Sequence, residues 1–150
     1  MKTLRNFTLL LAMAAITLTS CKKEGCTNEQ SENYDSEAKK DDGTCVPWRN
    51  KFLGTYSAVE NCTSGNGSYT LTVSESSAGA VNVILNIDGI TISGTVSGNS
   101  ITMPNQTVII TGFSFTFSGS GQLSGNILTL SYSISDSGFA NSCTATCTKQ

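Results

Sequence analysis

The chain has 150 residues, a formal charge of −2, only 13% charged residues and no histidine. That balance excludes the basic footprint of a nucleic-acid binder, and the missing histidine removes both the commonest general base and the commonest transition-metal ligand. Such a length provides for one small globular unit, and Ser, Thr, Gly and Asn mixed with β-branched and aromatic residues point to an all-β one.

Lys2 and Arg5 open the chain, and residues 7–18 are apolar or small, with Leu9, Leu10, Leu11, Met13 and Ile16 as the bulk. A membrane span needs about 20 apolar residues, so this run is too short. A charged flank, a short apolar run and small residues at its end describe a secretory signal over residues 1–20. The segment ends Leu18-Thr19-Ser20-Cys21, and this tetrapeptide closely resembles the lipobox of bacterial lipoproteins. The resemblance implies cleavage before Cys21, attachment of palmitate-type chains to its thiol, and acylation of the new amine. At about 0.8 kcal/mol per buried CH₂, two or three chains meet the requirement for stable anchoring. The expected location is therefore the cell envelope, on the outer membrane, with either face open. Loss of Lys2 and Arg5 leaves seven of the nine basic residues against eleven acidic ones, a formal charge of −4.

Residues 21–25 read as a tether. Residues 26–47 run from Gly25-Cys26-Thr27 through Asn33-Tyr34 and Ala38 to Asp41-Asp42-Gly43-Thr44-Cys45. They resemble a small module of secreted and lipid-anchored Bacteroidota proteins in which G-C-T-D-P, A-x-N-Y and D-D-G-S-C recur at this spacing. Asn28, Glu29, Ser31 and Ser36 depart from that pattern. The segment is too small and polar to bury a core, so it needs a covalent staple. A Cys26–Cys45 disulfide is expected in an oxidising compartment, removing roughly 3 kcal/mol of unfolded-state entropy. Tyr34 and Ala38 are spaced to share one face of a helical turn, and Asp42-Gly43 reads as a turn. Asp35, Asp41 and Asp42 are candidate Ca²⁺ ligands. They fall short of the six to eight oxygens calcium takes and lack EF-hand spacing, so a spacer without metal or cofactor is the expectation.

Val46-Pro47-Trp48 marks a boundary, and over residues 48–150 alternation dominates. The expected inward sets are Phe52, Gly54, Tyr56 and Ala58; Tyr69, Leu71 and Val73; Val81, Val83, Leu85 and Ile87; and Ile90, Ile92 and Val96. Ile101 and Met103 follow, then a run from Thr107 to Ile110 beyond Pro104. Phe113, Phe115 and Phe117 come next, then Leu128, Leu130, Tyr132 and Ile134, and finally Cys143, Ala145 and Cys147. Turns are expected at Gly65-Asn66-Gly67, Ala78-Gly79, Asp88-Gly89, Gly98-Asn99, Gly119-Ser120-Gly121, Gly125-Asn126 and Ser137-Gly138, with Asp88-Gly89 the strongest hairpin signal. About eight or nine short, evenly spaced strands predict an antiparallel meander closing into a small barrel. Large apolar residues inside and Ser, Thr and Asn outside are the polarity of a water-soluble barrel, the reverse of a porin.

Gly54-Thr55-Tyr56 resembles the G-x-W start of lipocalin-like (calycin-type) barrels, with Tyr in place of Trp and without the late-strand Arg that packs over it. The wider pattern, including Val96-Ser97-Gly98-Asn99-Ser100-Ile101 and the late Cys143, resembles small Bacteroidota lipoproteins of lipocalin-like form.

Cys143 and Cys147 are about 13 Å apart along an extended strand, beyond the ~7 Å a disulfide tolerates. Barrel closure brings the first and last strands together, so Cys62 is expected to pair with Cys143, Cys147 being the competing partner and otherwise a buried, inert thiol. Catalysis is not expected: serines without histidine are surface residues rather than nucleophiles, and Glu60 and Glu75 are the one acidic pair with a chance of meeting. The expected function is a monomeric, non-enzymatic envelope protein holding a small apolar ligand, as eight-stranded barrels can. The alternative is a structural or adhesive module with a packed interior, using its Ser/Thr-rich exterior or an open strand edge.

Overall fold

The computed structural model describes residues 22–150. The expected leader, the lipobox-like tetrapeptide and the expected attachment residue Cys21 lie outside them. Among the described residues there is no α-helix.

The N-terminal module is organised by a parallel pair, β1 (Glu24–Gly25) and β2 (Lys40–Asp41), and closed by the Cys26–Cys45 disulfide. Asn33 staples its far side: its amide donates to the Thr44 carbonyl at 2.8 Å and accepts from the Val46 N–H at 2.8 Å. Tyr34 and Ala38 do not share a helical turn, contrary to expectation. The carboxylates of Asp35, Asp41 and Asp42 each accept from the backbone N–H two residues on, at 2.9, 2.9 and 3.0 Å. Such local bonds compete with a helical ladder and wind the chain into tight turns.

After Pro47 a 3-10 helix, Trp48–Lys51, plugs one end of the barrel. Phe52 caps it and is fully buried. Arg49 donates to the Ser76 and Gly79 carbonyls at 3.1 and 2.7 Å and pairs with Glu75 at 2.8 Å. Lys51 reaches Glu32 of the module at 2.8 Å and Asn99 at 2.7 Å. One helical turn therefore ties the module to the plugged end.

Eight strands follow: β3 (Gly54–Cys62), β4 (Gly65–Glu75), β5 (Asn82–Ile87), β6 (Ile90–Ser97), β7 (Ser100–Ile110), β8 (Phe113–Ser124), β9 (Ile127–Ser135) and β10 (Ala140–Lys149). Each pairs antiparallel with the next, and β10 closes on β3. Closure pairs every barrel strand on both sides, though the β6–β7 seam is laddered only near its turn. The core is the inward set, with Tyr56, Leu71, Leu85, Ile92, Ile101, Met103, Leu128 and Leu130 at 1% exposure or less. Asp88 and Gly89 both take positive φ, 48° and 90°, as the two-residue hairpin requires.

Some turn and strand boundaries differ from the pattern. Gly65-Asn66-Gly67 belongs to β4, and the turn is Thr63-Ser64. Gly119-Ser120-Gly121 lies inside β8. There a Cβ on Gly121 would fall 2.5 Å from Leu130 and 2.7 Å from the Thr129 carbonyl, so the glycine answers to crowding rather than turning. Ile101, Met103 and the Thr107–Ile110 run form one strand, interrupted by a register shift between Met103 and Gln106. Pro104, which cannot donate to a ladder, sits in that irregularity. β6 and β7 pair over only three residues near their turn. Beyond it the Gln106 side chain substitutes for the ladder, accepting from Ser93 N–H at 2.8 Å and donating to Ser93 C=O at 2.9 Å.

Candidate functional site

Period-two alternation decides what enters the barrel. On β3 the inward series continues from Tyr56 and Ala58 to Glu60 and Cys62, so the same pattern that buries the core carries a carboxylate inside. Its neighbours come from strands whose inward residues are large and apolar. Together they enclose a cavity of about 260 Å³ that opens at the end opposite the plug. Tyr69, Ile92, Val108, Phe117 and Tyr132 are among the apolar and aromatic residues of its wall, and the disulfide that joins Cys62 to Cys143 is part of it.

Glu60 is held from two sides. The Tyr132 hydroxyl donates to its Oε2. Its stem lies over Gly67, its cross-strand partner, where a Cβ would come within 2.9 Å of Oε1. Tyr132 stacks on Phe117 with ring centroids 5.2 Å apart. Burial, and then the Glu60 carboxylate, push the Tyr132 phenol well above its usual range, so it holds its proton and donates. Burial likewise raises the Tyr69 phenol, whose hydroxyl is shielded from solvent with no hydrogen-bond partner of acceptable geometry.

Cys147 is free and fully buried, and burial pushes its thiol up to about 11. A thiol so protonated is a poor nucleophile. Glu60 and Glu75 do not meet: the first lines the open end and the second pairs with Arg49 at the plug. Nor do Asp35, Asp41 and Asp42 converge as ligands. Asp35 is engaged by Lys23 at 2.8 Å, and burial of charge in that exposed pair is slight; Asp42 is engaged by the Thr44 hydroxyl at 2.7 Å. Among the described residues, the one group of three ligand-type side chains close enough to share an ion is Glu60, Cys62 and Cys143. Two of those sulfurs are spent on each other, which leaves a single carboxylate oxygen donor.

The aromatic series Phe113, Phe115 and Phe117 does not fill the interior as a unit. Phe117 is buried, Phe115 is half-buried and packs edge-on against Phe139 at 6.2 Å, and Phe113 is 67% exposed at the hairpin tip. That displacement of bulk toward the rim leaves room inside. The site thus offers an apolar chamber with one hydrogen-bonded carboxylate at its wall. The chain matches no protein-family model, no curated protein and no solved structure.

Proposed function

We propose that this is a lipid-anchored cell-envelope protein, non-enzymatic and monomeric, whose barrel holds a small, mainly apolar molecule. The observation that carries this reading is the open-ended cavity of about 260 Å³ with apolar and aromatic walls. An apolar cavity of about 150 Å³ accepts benzene, so this one suits a body of one or two rings. A long acyl chain is a poorer fit. Concave, apolar chambers with a few polar groups are the usual form of small-molecule sites, including those in the mouths of barrels.

The anchor rests on Leu18-Thr19-Ser20-Cys21 and its lipobox resemblance. The module runs directly into the plug, where Lys51 pairs with Glu32. Mass spectrometry of the membrane-extracted protein tests the anchor: a diacylated or triacylated N-terminal Cys21 is expected, and an unprocessed chain starting at Met1 overturns it.

The ligand reading is tested by titrating the protein with indole, a neutral aromatic probe, and following backbone amide shifts. Saturable shifts confined to the open half are expected. With no saturable shift anywhere, the surface-module reading takes its place.

A further inference from the structure

Resting on that ligand reading, we infer that the cavity is selective for small cations: an apolar body of one or two rings with a single ammonium group seated on Glu60. The charged side chains that line the cavity are Glu60 and Asp88, both acidic. Among the described residues no Lys or Arg forms an ion pair with either of them. The cations of the barrel are held elsewhere: Arg49 by Glu75, Lys51 by Glu32, and Lys149 by the Lys51 carbonyl at the plug.

A carboxylate against apolar walls interacts with a nearby charge far more strongly than it would in water. It attracts an ammonium and repels an anionic head such as a free carboxylate. Oε2 is occupied by Tyr132, whereas Oε1 accepts no hydrogen bond among the described residues and lies beside Gly67, itself part of the cavity wall. The rings of Tyr69, Phe117 and Tyr132 add electron-rich faces, which favour cations again. A neutral alcohol gains from the wall and can donate a hydroxyl to Oε1 but brings no charge; a carboxylic acid gains from the wall and loses at Glu60. Only a cation adds the full charge attraction there.

The test is a matched series with one ring system and three heads: tryptamine, tryptophol and indole-3-acetate. Each is titrated calorimetrically into the full chain in lipid nanodiscs, with empty discs as the blank. Tryptamine should bind about tenfold or more tighter than tryptophol, the worth of one charge-assisted hydrogen bond, and indole-3-acetate should be the weakest. In Glu60→Gln, tryptamine should lose its advantage over tryptophol, and an amide spectrum with the parent's dispersion certifies the fold of the variant. Equal binding of amine and alcohol, an acetate that binds best, or a preference that survives Glu60→Gln would overturn the cation inference and leave the cavity reading standing. If none of the three binds, both fall together.

Discussion

The ammonium of Lys149, on the last strand, lies 5.8 Å from the ring centroid of Tyr56, on the first strand of the barrel. It also donates to the Lys51 carbonyl at 3.0 Å, so one side chain joins the closing strand, the opening strand and the plug. Its stem passes over Gly54, where a Cβ would sit 2.8 Å from Cε, and Gly54 has φ +138°. Gly54-Thr55-Tyr56 is therefore one device: a glycine that clears the path and an aromatic ring that receives the cation.

Gly54→Ala is expected to destabilise the barrel by about 1–3 kcal/mol, from strained backbone and the displaced lysine. Lys149→Met keeps the stem and removes the charge, and should cost about 1 kcal/mol. Urea denaturation measures both. A Gly54→Ala variant as stable as the parent would contradict this role for the glycine.

The two disulfides differ in reach. Cys62–Cys143 spans 81 residues and ties β3 to β10, whereas Cys26–Cys45 spans 19 and closes only the module. Replacing Cys62 and Cys143 together by Ala should lower barrel stability by about 4 kcal/mol on the chain-entropy account. The Cys26→Ala, Cys45→Ala pair should leave the main unfolding transition of the barrel nearly in place. Thermal unfolding of the two double variants distinguishes them, and equal shifts would argue against it.

Cys147 gives the barrel an alkaline weakness. Its thiol rises from an ordinary 9.0 to about 11 in the folded protein, chiefly through burial. Folded protein holds this proton more tightly than unfolded protein does, so the contribution is complete below pH 9 and is lost as pH climbs toward about 11. Burial also moves the Tyr56 phenol from 10.0 to about 12, extending the decline. The Cys147 share is on the order of 2 kcal/mol. Denaturation midpoints measured from pH 8 to 11 should fall less steeply in Cys147→Ala than in the parent, and parallel curves would refute the assignment. The native thiol should also resist alkylation until the chain unfolds.

Tyr69 carries a buried hydroxyl that lies beside the Tyr132 hydroxyl and the Cys147 thiol without a well-aligned hydrogen bond to either. An unpaired polar group of that kind costs about 1–3 kcal/mol. Tyr69→Phe should therefore leave stability unchanged or raise it by up to about 1 kcal/mol. A loss greater than about 1 kcal/mol would mean the hydroxyl is bonded in solution.

Most of the barrel was legible because its inside and outside differ at every second residue. The series Leu128, Leu130, Tyr132 and Ile134 announces both a strand and the face it buries, and the same alternation puts Cys62 and Cys143 where barrel closure makes them cross-strand partners. Glycine was the ambiguous letter. Gly119 and Gly121 look like a turn, yet they serve packing inside β8, while the Thr111-Gly112 hairpin, with Thr111 at φ +49°, carries no strong signal. The site was less legible than the fold. Glu60 stands in register with Tyr56 and Ala58, which is enough to place it inside, but its partner Tyr132 comes from a strand far along the chain. The cation of Lys149 over Tyr56 is equally non-local, and a search for a late arginine passes over it.

The most direct test of a ligand chamber is the set of intermolecular NOEs between bound indole and methyl-labelled protein. Contacts to the methyls of Ile92 and Val108, which face the cavity, are the predicted result. Contacts only to outward methyls such as those of Val59, Ile109 and Ile127, or none at saturating indole, would contradict it.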